Sequence, residues 1–377
     1  MQDRMEMAEP KNTTKRRSAT LLQFWLLGLL TMTALLFLLV QARFVLVPLA
    51  IAILLFSLTS AIIDFVARLR IGRFAIPNWF ASIVAVLMIA AILLALFGIV
   101  SAQTNAVLAT GSLYAERGQE AVAALFAWLG EDVAAGVLAA FQEIDFGAYL
   151  RALAGSAGNL LMATVLIILY IGFLFAERPH FDAKLAELFP DSNRAAEVGQ
   201  IFAAISSSVH HYIIVKTAVS LVTAIVVYGV LVLFGVDFAE SLATLAFVLN
   251  FIPNIGSIVA TALPTLVALV QFGDWSSTIL VFAAVGCVQF GIGNIVDPML
   301  MGRALHLSSF AIILSLTFWG AVWGIVGLFL AVPIMVMVMI VCSHIPALRA
   351  VAILLSRDGQ PFALQPEGKR GSGAAAK

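Results

Sequence analysis

Long apolar runs separated by short polar breaks dominate the chain, at roughly 21–40, 44–63, 78–102, 157–176, 213–234 and 276–296. An α-helix needs about 20 apolar residues to cross ~30 Å of hydrocarbon, so these runs predict six full transmembrane helices. Two further apolar regions, about 241–271 and 307–342, contain helix breakers: Phe251-Ile252-Pro253-Asn254-Ile255-Gly256 in the first, and Trp319-Gly320 through Trp323-Gly324 in the second. Each half is short for a crossing. The pattern therefore predicts two broken or re-entrant helical hairpins, or eight spans if each is counted as one, and either reading returns the chain to the side it left. The fold class expected is an all-α polytopic membrane protein.

The polar intervals divide the chain further. Residues 1–20 form an N-terminal segment, 21–102 carry the first three spans, 103–155 form a long polar segment outside the membrane, 156–350 hold the two hairpins, and 351–377 form a tail rich in Gly, Ala and Pro that is expected to be disordered. Within the outer segment Val122, Phe126, Leu129, Val133, Val137, Phe141 and Ile144 recur every three or four residues, as on one face of an amphipathic helix. Pro190-Asp191-Ser192 reads as a stop followed by a helix cap, and the helix it starts runs into the fifth span.

Composition sharpens this picture. The chain is 62% hydrophobic and 11% charged, with a mean hydropathy of +1.06, whereas soluble domains are about half apolar and a quarter charged. Its formal net charge of zero provides no broad basic face, which argues against a nucleic-acid partner. Cys287 and Cys342 lie in separate apolar runs and read as packed free thiols, not as a disulfide or a metal site. The basic start, Lys15-Arg16-Arg17, resembles a signal peptide, but the apolar run after it is long enough to span and reads as an uncleaved first helix. With the N-terminus in the cytoplasm, only Arg43, Arg117 and Arg151 of the 21 basic residues fall outside. The positive-inside rule then places both termini in the cytoplasm, as in a bacterial inner membrane.

The chemistry is mostly defined by what is missing. The sequence contains no Gly-Lys-Ser/Thr phosphate loop, HExxH motif or nucleophile elbow, so neither ATP hydrolysis nor another enzymatic activity is expected, and no cofactor or metal is implied. His210 and His211 are adjacent and point about 100° apart on a helix, which suits shared metal ligation poorly. The informative residues are polar groups beside helix breakers: Asn250, Pro253, Asn254 and Gly256 at the first hairpin, and Gln289, Asn294 and Asp297-Pro298 closing the sixth span, with Gly302 beyond. Asp297 is the acid near these motifs. A carboxylate at membrane depth costs about 2.5–3.5 kcal/mol, so one that persists either faces a pathway or is a solvated turn residue at the span's end. Trp319, Gly320, Trp323 and Gly324 complete the candidate pathway. A span followed by a broken hairpin occurs twice in opposite topology, an inverted repeat of the kind secondary transporters use.

These residues resemble a known family. Phe251-Ile252-Pro253-Asn254-Ile255-Gly256, the stretch Asn294-Ile295-Val296-Asp297-Pro298-Met299-Leu300-Met301-Gly302-Arg303, Phe318-Trp319-Gly320, Trp323-Gly324-Ile325-Val326-Gly327 and Leu330-Ala331-Val332-Pro333 are together similar to the AI-2E transporters, or PerM-like permeases. Where family members often carry an aromatic residue and a later proline, this chain has Asn254 and Ser257, which implies a different pocket shape. The resemblance implies export of a small solute such as autoinducer-2, or cation/proton antiport with sodium or lithium, by a homo-oligomer, a pentamer, embedded in lipid. A passive channel and a membrane scaffold or lipid-organising protein are the competing expectations. The orientation is checked by cysteine labelling: Gly130→Cys is expected to react from outside and Gly371→Cys from the cytoplasm, and the reverse at either position contradicts the topology.

Overall fold

The computed structural model describes residues 11–68, 80, 83–95, 97–99, 101–102, 117–118, 136, 146–301 and 307–359. Among them the regular structure is helical, apart from an isolated bridge between Leu307 and Ser356. The elements are α1 (Lys11–Gln41), α2 (Arg43–Arg68), α3 (Phe146–Glu177), α4 (Phe181–Leu188), α5 (Ser192–Leu233), α6 (Ala239–Leu249), α7 (Ile255–Phe272), α8 (Trp275–Gly291), a π-helical turn (Ile292–Val296), α9 (Asp297–Met301), α10 (Ser309–His344) and α11 (Arg349–Leu355). The predicted third span is described only in part, as an apolar helix at Ile83–Ile99. The amphipathic stripe from Val122 to Ile144 lies outside the described residues, as do Gly302 and the chain after Gly359.

Among the described residues five helices are long and apolar enough to cross a bilayer: Gly158–His180, Asn193–Leu233, Ile255–Phe272, Trp275–Leu300 and Ser309–His344. The pair α1 and α2 adds a sixth apolar element, bent by 82° around Ala42. Large side chains such as Leu233 and Ile325 are 81% and 74% exposed. In water that surface would drive aggregation, and in lipid it is matched by its solvent. The chain is a multi-pass membrane protein.

Sequence dictates where the helices start and stop. The Asp191 carboxylate accepts from the Asn193 N–H to cap α5, as the Pro-Asp-Ser signal predicts, and the Asp274 carboxylate accepts from the Ser277 N–H to cap α8. Hydrogen bonds from Ser276 and Ser277 hold the Asp274 carboxyl below the usual carboxylate range. Gly273, at φ +67°, ends α7 just before that cap. The packed chain extends past residue 350: α11 buries Ala352 and Leu355, and the Ser308 N–H donates to the Leu355 carbonyl.

The two breaks fold the chain back on itself by one device. In α10 the Ser315 hydroxyl donates to the Ala331 carbonyl at 2.7 Å, although sixteen residues of straight helix would separate them by roughly 24 Å. The reversal is at Gly324, with φ +62° and ψ −140°, while Trp319, Gly320 and Trp323 stay helical. In the first hairpin the reversal occupies Asn250–Asn254 between α6 and α7. Each hairpin closes on a glycine: a Cβ on Gly256 would sit 1.8 Å from the Leu249 carbonyl oxygen, and one on Gly327 would sit 1.8 Å from the Trp319 carbonyl oxygen. No rotamer change can relieve a clash with backbone. The hairpins then meet, with Ile252 buried against Leu316 and Ala331 and the Phe251 and Phe329 rings 4.7 Å apart.

A methyl group at either closing glycine must therefore push the arms of its hairpin apart. Gly256→Ala and Gly327→Ala are each expected to destabilise the protein by about 3 kcal/mol, the upper end for overpacking, read as earlier thermal unfolding in detergent. Gly229→Ala, with nothing within 4 Å of its Cβ position, serves as the silent control. Equal unfolding temperatures for all three would contradict the hairpin geometry.

Candidate functional site

The π-helical turn shapes the site. Pro298 lacks an N–H and its ring would crowd the carbonyl four residues back, so a regular helix through this point is strained. The chain widens instead, and the Asp297 N–H bonds to Ile292, five residues back. The Asn294 side chain donates to the Phe290 carbonyl at 3.1 Å. The helix consequently runs on through α9 to Met301 and does not close at Asp297-Pro298 as the sequence suggests. Asp297 sits on the wall of the bundle, with its side chain 19% exposed.

Opposite it lies a residue that the sequence reading placed with the cytoplasmic basic residues. Lys216, inside α5, forms a salt bridge with an Asp297 carboxylate oxygen, and the two side chains are only 5% and 19% exposed. Neither charge is tolerable alone at this depth, because desolvation costs several kcal/mol per ion. The available signal was a single lysine three residues into the 213–234 apolar run. One helical turn further along α5, the Ser220 hydroxyl accepts from the Asn250 side chain at 3.0 Å, tying the first hairpin's break to the same helix.

These groups border a cavity of about 570 Å³. Asn250, Pro253, Asn254, Gln289, Asn294 and Asp297 line it, joined by Lys216, Ser257, Thr261 and Phe282. Both polar atoms of the Gln289 amide and the second Asp297 oxygen are buried with no partner among the described residues. Buried polar atoms normally find partners, so this wall is built to receive one. A carboxylate able to take a proton, an ammonium able to move to another acceptor, and an amide offering both donor and acceptor suit the binding and release of a small polar solute or a cation.

The remaining candidates fall elsewhere. Gly256 packs in the hairpin closure and Pro298 is exposed beyond the cavity. Gly320 and Gly324 line a second cavity of about 590 Å³. Trp319 and Trp323 pack their rings 4.7 Å apart, and the Trp323 indole donates to the Leu39 carbonyl, anchoring the hairpin tip to α1. Cys342 is buried as expected, but Cys287 is exposed, since α8 turns that face away from its neighbours. Among the described residues no group of His, Cys, Asp or Glu is arranged to hold a metal ion.

Fold and site together describe a helical membrane transporter. The chain belongs to the AI-2E family of transporters, whose pattern it matches over residues 26–347. It is 30% identical over 315 residues to the AI-2 transport protein TqsA of Escherichia coli (strain K12), covering 83% of this chain and 89% of that protein. It is 33% identical over 219 residues to a putative transport protein of Borreliella burgdorferi, covering 57% of this chain and 60% of that one. The putative permease PerM of Escherichia coli (strain K12) is 27% identical over 184 residues, covering 48% and 52%.

Removing one member of the charge pair leaves the other stranded. Lys216→Ala is expected to cost about 3–5 kcal/mol. The double variant Lys216→Met, Asp297→Leu is expected to recover most of that loss, because two apolar side chains of similar size need no partner. Thermal unfolding of the purified variants decides: an unaffected Lys216→Ala would mean the pair is not buried.

Proposed function

We propose that this protein is a secondary exporter of the bacterial inner membrane, with both termini in the cytoplasm, that moves a small polar solute at the expense of a proton or sodium gradient. The observation that carries the reading is the Lys216–Asp297 pair in the wall of a cavity beside a broken helical hairpin. Interrupted helices place freed backbone groups at membrane depth, where transporters bind solute. A buried ion pair can be opened by a proton or competing cation, which gives the gradient a point of action. The basic residues concentrated on one side of the spans support the orientation.

The solute proposed first is autoinducer-2, because the relative matched over most of its length is named for AI-2 transport. Sodium or lithium exchange against protons is the second candidate. Family resemblance extends the proposal to a homo-oligomer, a pentamer, which the mass of lipid-embedded particles tests.

Flux of AI-2, sodium and lithium in proteoliposomes under an imposed proton gradient tests the reading. Asp297→Asn keeps the size of the side chain and removes its titratable group, so gradient-driven flux is expected to fall at least roughly tenfold, equivalent to about 1.4 kcal/mol, and its pH dependence to flatten. Flux that persists after the gradient is collapsed would indicate a channel, and absence of flux for every solute would indicate a scaffold.

A further inference from the structure

A second cavity lies on the far side of the first hairpin's break. Pro253 and Asn254 line both it and the cavity that holds Lys216 and Asp297. Most of its other walls come from the second hairpin, including Thr317, Gly320, Gly324 and Leu328, and none of the described residues lining it is ionisable. The contacts order the groups along the bundle. Lys216 and Asp297 come first, followed one turn later by Ser220 on Asn250. Ile252 against Leu316 and Ala331 is next, and Gly324 lies eight residues beyond Leu316, roughly 12 Å of helix.

The wall between the cavities is held in a strained turn. The Ile255 N–H donates to the Pro253 carbonyl at 2.7 Å, and Asn254 between them has φ +62° and ψ −55°. This is a γ-turn, a rare backbone form that costs a residue with a Cβ appreciable energy. Such strain persists only where the surroundings impose it, and it marks segments with a second conformation within reach. The surroundings here are the Asn250–Ser220 hydrogen bond before the turn and the Gly256–Leu249 closure after it.

We propose that the second cavity is the far chamber of the transport path, that it takes an uncharged solute, and that the γ-turn at Asn254 is the movable partition between the chambers. An ion would lose its hydration in the second chamber without a countercharge, so the species that dwells there is the neutral solute. The proposal rests on the transport reading for its flux measurement, but its labelling measurement does not.

The test uses the full-length protein with Cys287→Ser and Cys342→Ala. Ser257→Cys reports on the first chamber and Thr317→Cys on the second, each challenged from either face of the membrane with an impermeant methanethiosulfonate. Ser257→Cys is expected to react only from the cytoplasmic face and Thr317→Cys only from the opposite face. Adding Asn254→Val, a β-branched residue that cannot hold this turn, is expected to make both reactive from both faces. Reaction of both from one face before that change, failure of Thr317→Cys to react from either face as in a lipid-filled groove, or an unaltered pattern in folded Asn254→Val each overturns the proposal. Asn254→Gly relieves the strain and favours the closed turn, so AI-2 flux is expected to fall by roughly tenfold with stability kept. If Asn254→Val does not fold, this variant decides, and unchanged flux overturns the partition. A parent protein that carries neither AI-2 nor a cation overturns the transport reading, and the labelling of the parent still decides whether two chambers exist.

Discussion

Hydrocarbon offers a polar group no partner except another part of the protein. That constraint decides how Lys216 and Asp297 can exist, because each charge is held inside the bundle by the other. The pairing fixes the separation of α5 and α9, and the π-helical turn sets the register that brings Asp297 round to face the lysine. The same constraint governs the breaks. The break at Asn250–Asn254 is tied to Ser220 on α5 by the Asn250 side chain and closed by its own γ-turn, and the reversal at Gly324 is braced by the Ser315–Ala331 hydrogen bond.

Function follows from leaving some of these obligations open. Among the described residues, Gln289 is deeply buried with its amide unpaired, and one Asp297 oxygen is likewise unpaired. The unpaired groups converge on the cavity, so incoming solute supplies contacts that the resting protein lacks. Closed hairpins with no room at Gly256 and Gly327 give the cavity rigid walls on either side of one strained turn. Rigid arms joined by a few movable residues are the usual anatomy of hinged closure.

Much of this architecture was legible in the sequence because lipid imposes a simple code. Apolar runs of spanning length, the Pro253–Gly256 cluster and the glycines near Trp323 marked the helices and both reversals. Lys216 was not legible. Its partner lies 81 residues away, and a lysine near a span's cytoplasmic end reads as one more basic residue at the membrane face. Asp297-Pro298 read as a helix end because proline normally stops a helix, and only a widened turn, which no local motif announces, carries the chain through it. The strain at Asn254 depends on how two hairpins meet, so composition could suggest a break there but not its geometry.

The central claim is that the Lys216–Asp297 pair opens during the cycle and does not serve as a permanent strut. Infrared difference spectroscopy of the protein in membranes, stepped across the pH range in which it transports, reads this directly. The account predicts that a carbonyl-stretch band of a protonated carboxylic acid rises with acidification and is absent from Asp297→Asn. A spectrum with no Asp297-dependent band throughout that range would show a carboxylate that never gives up its charge, and would contradict the account.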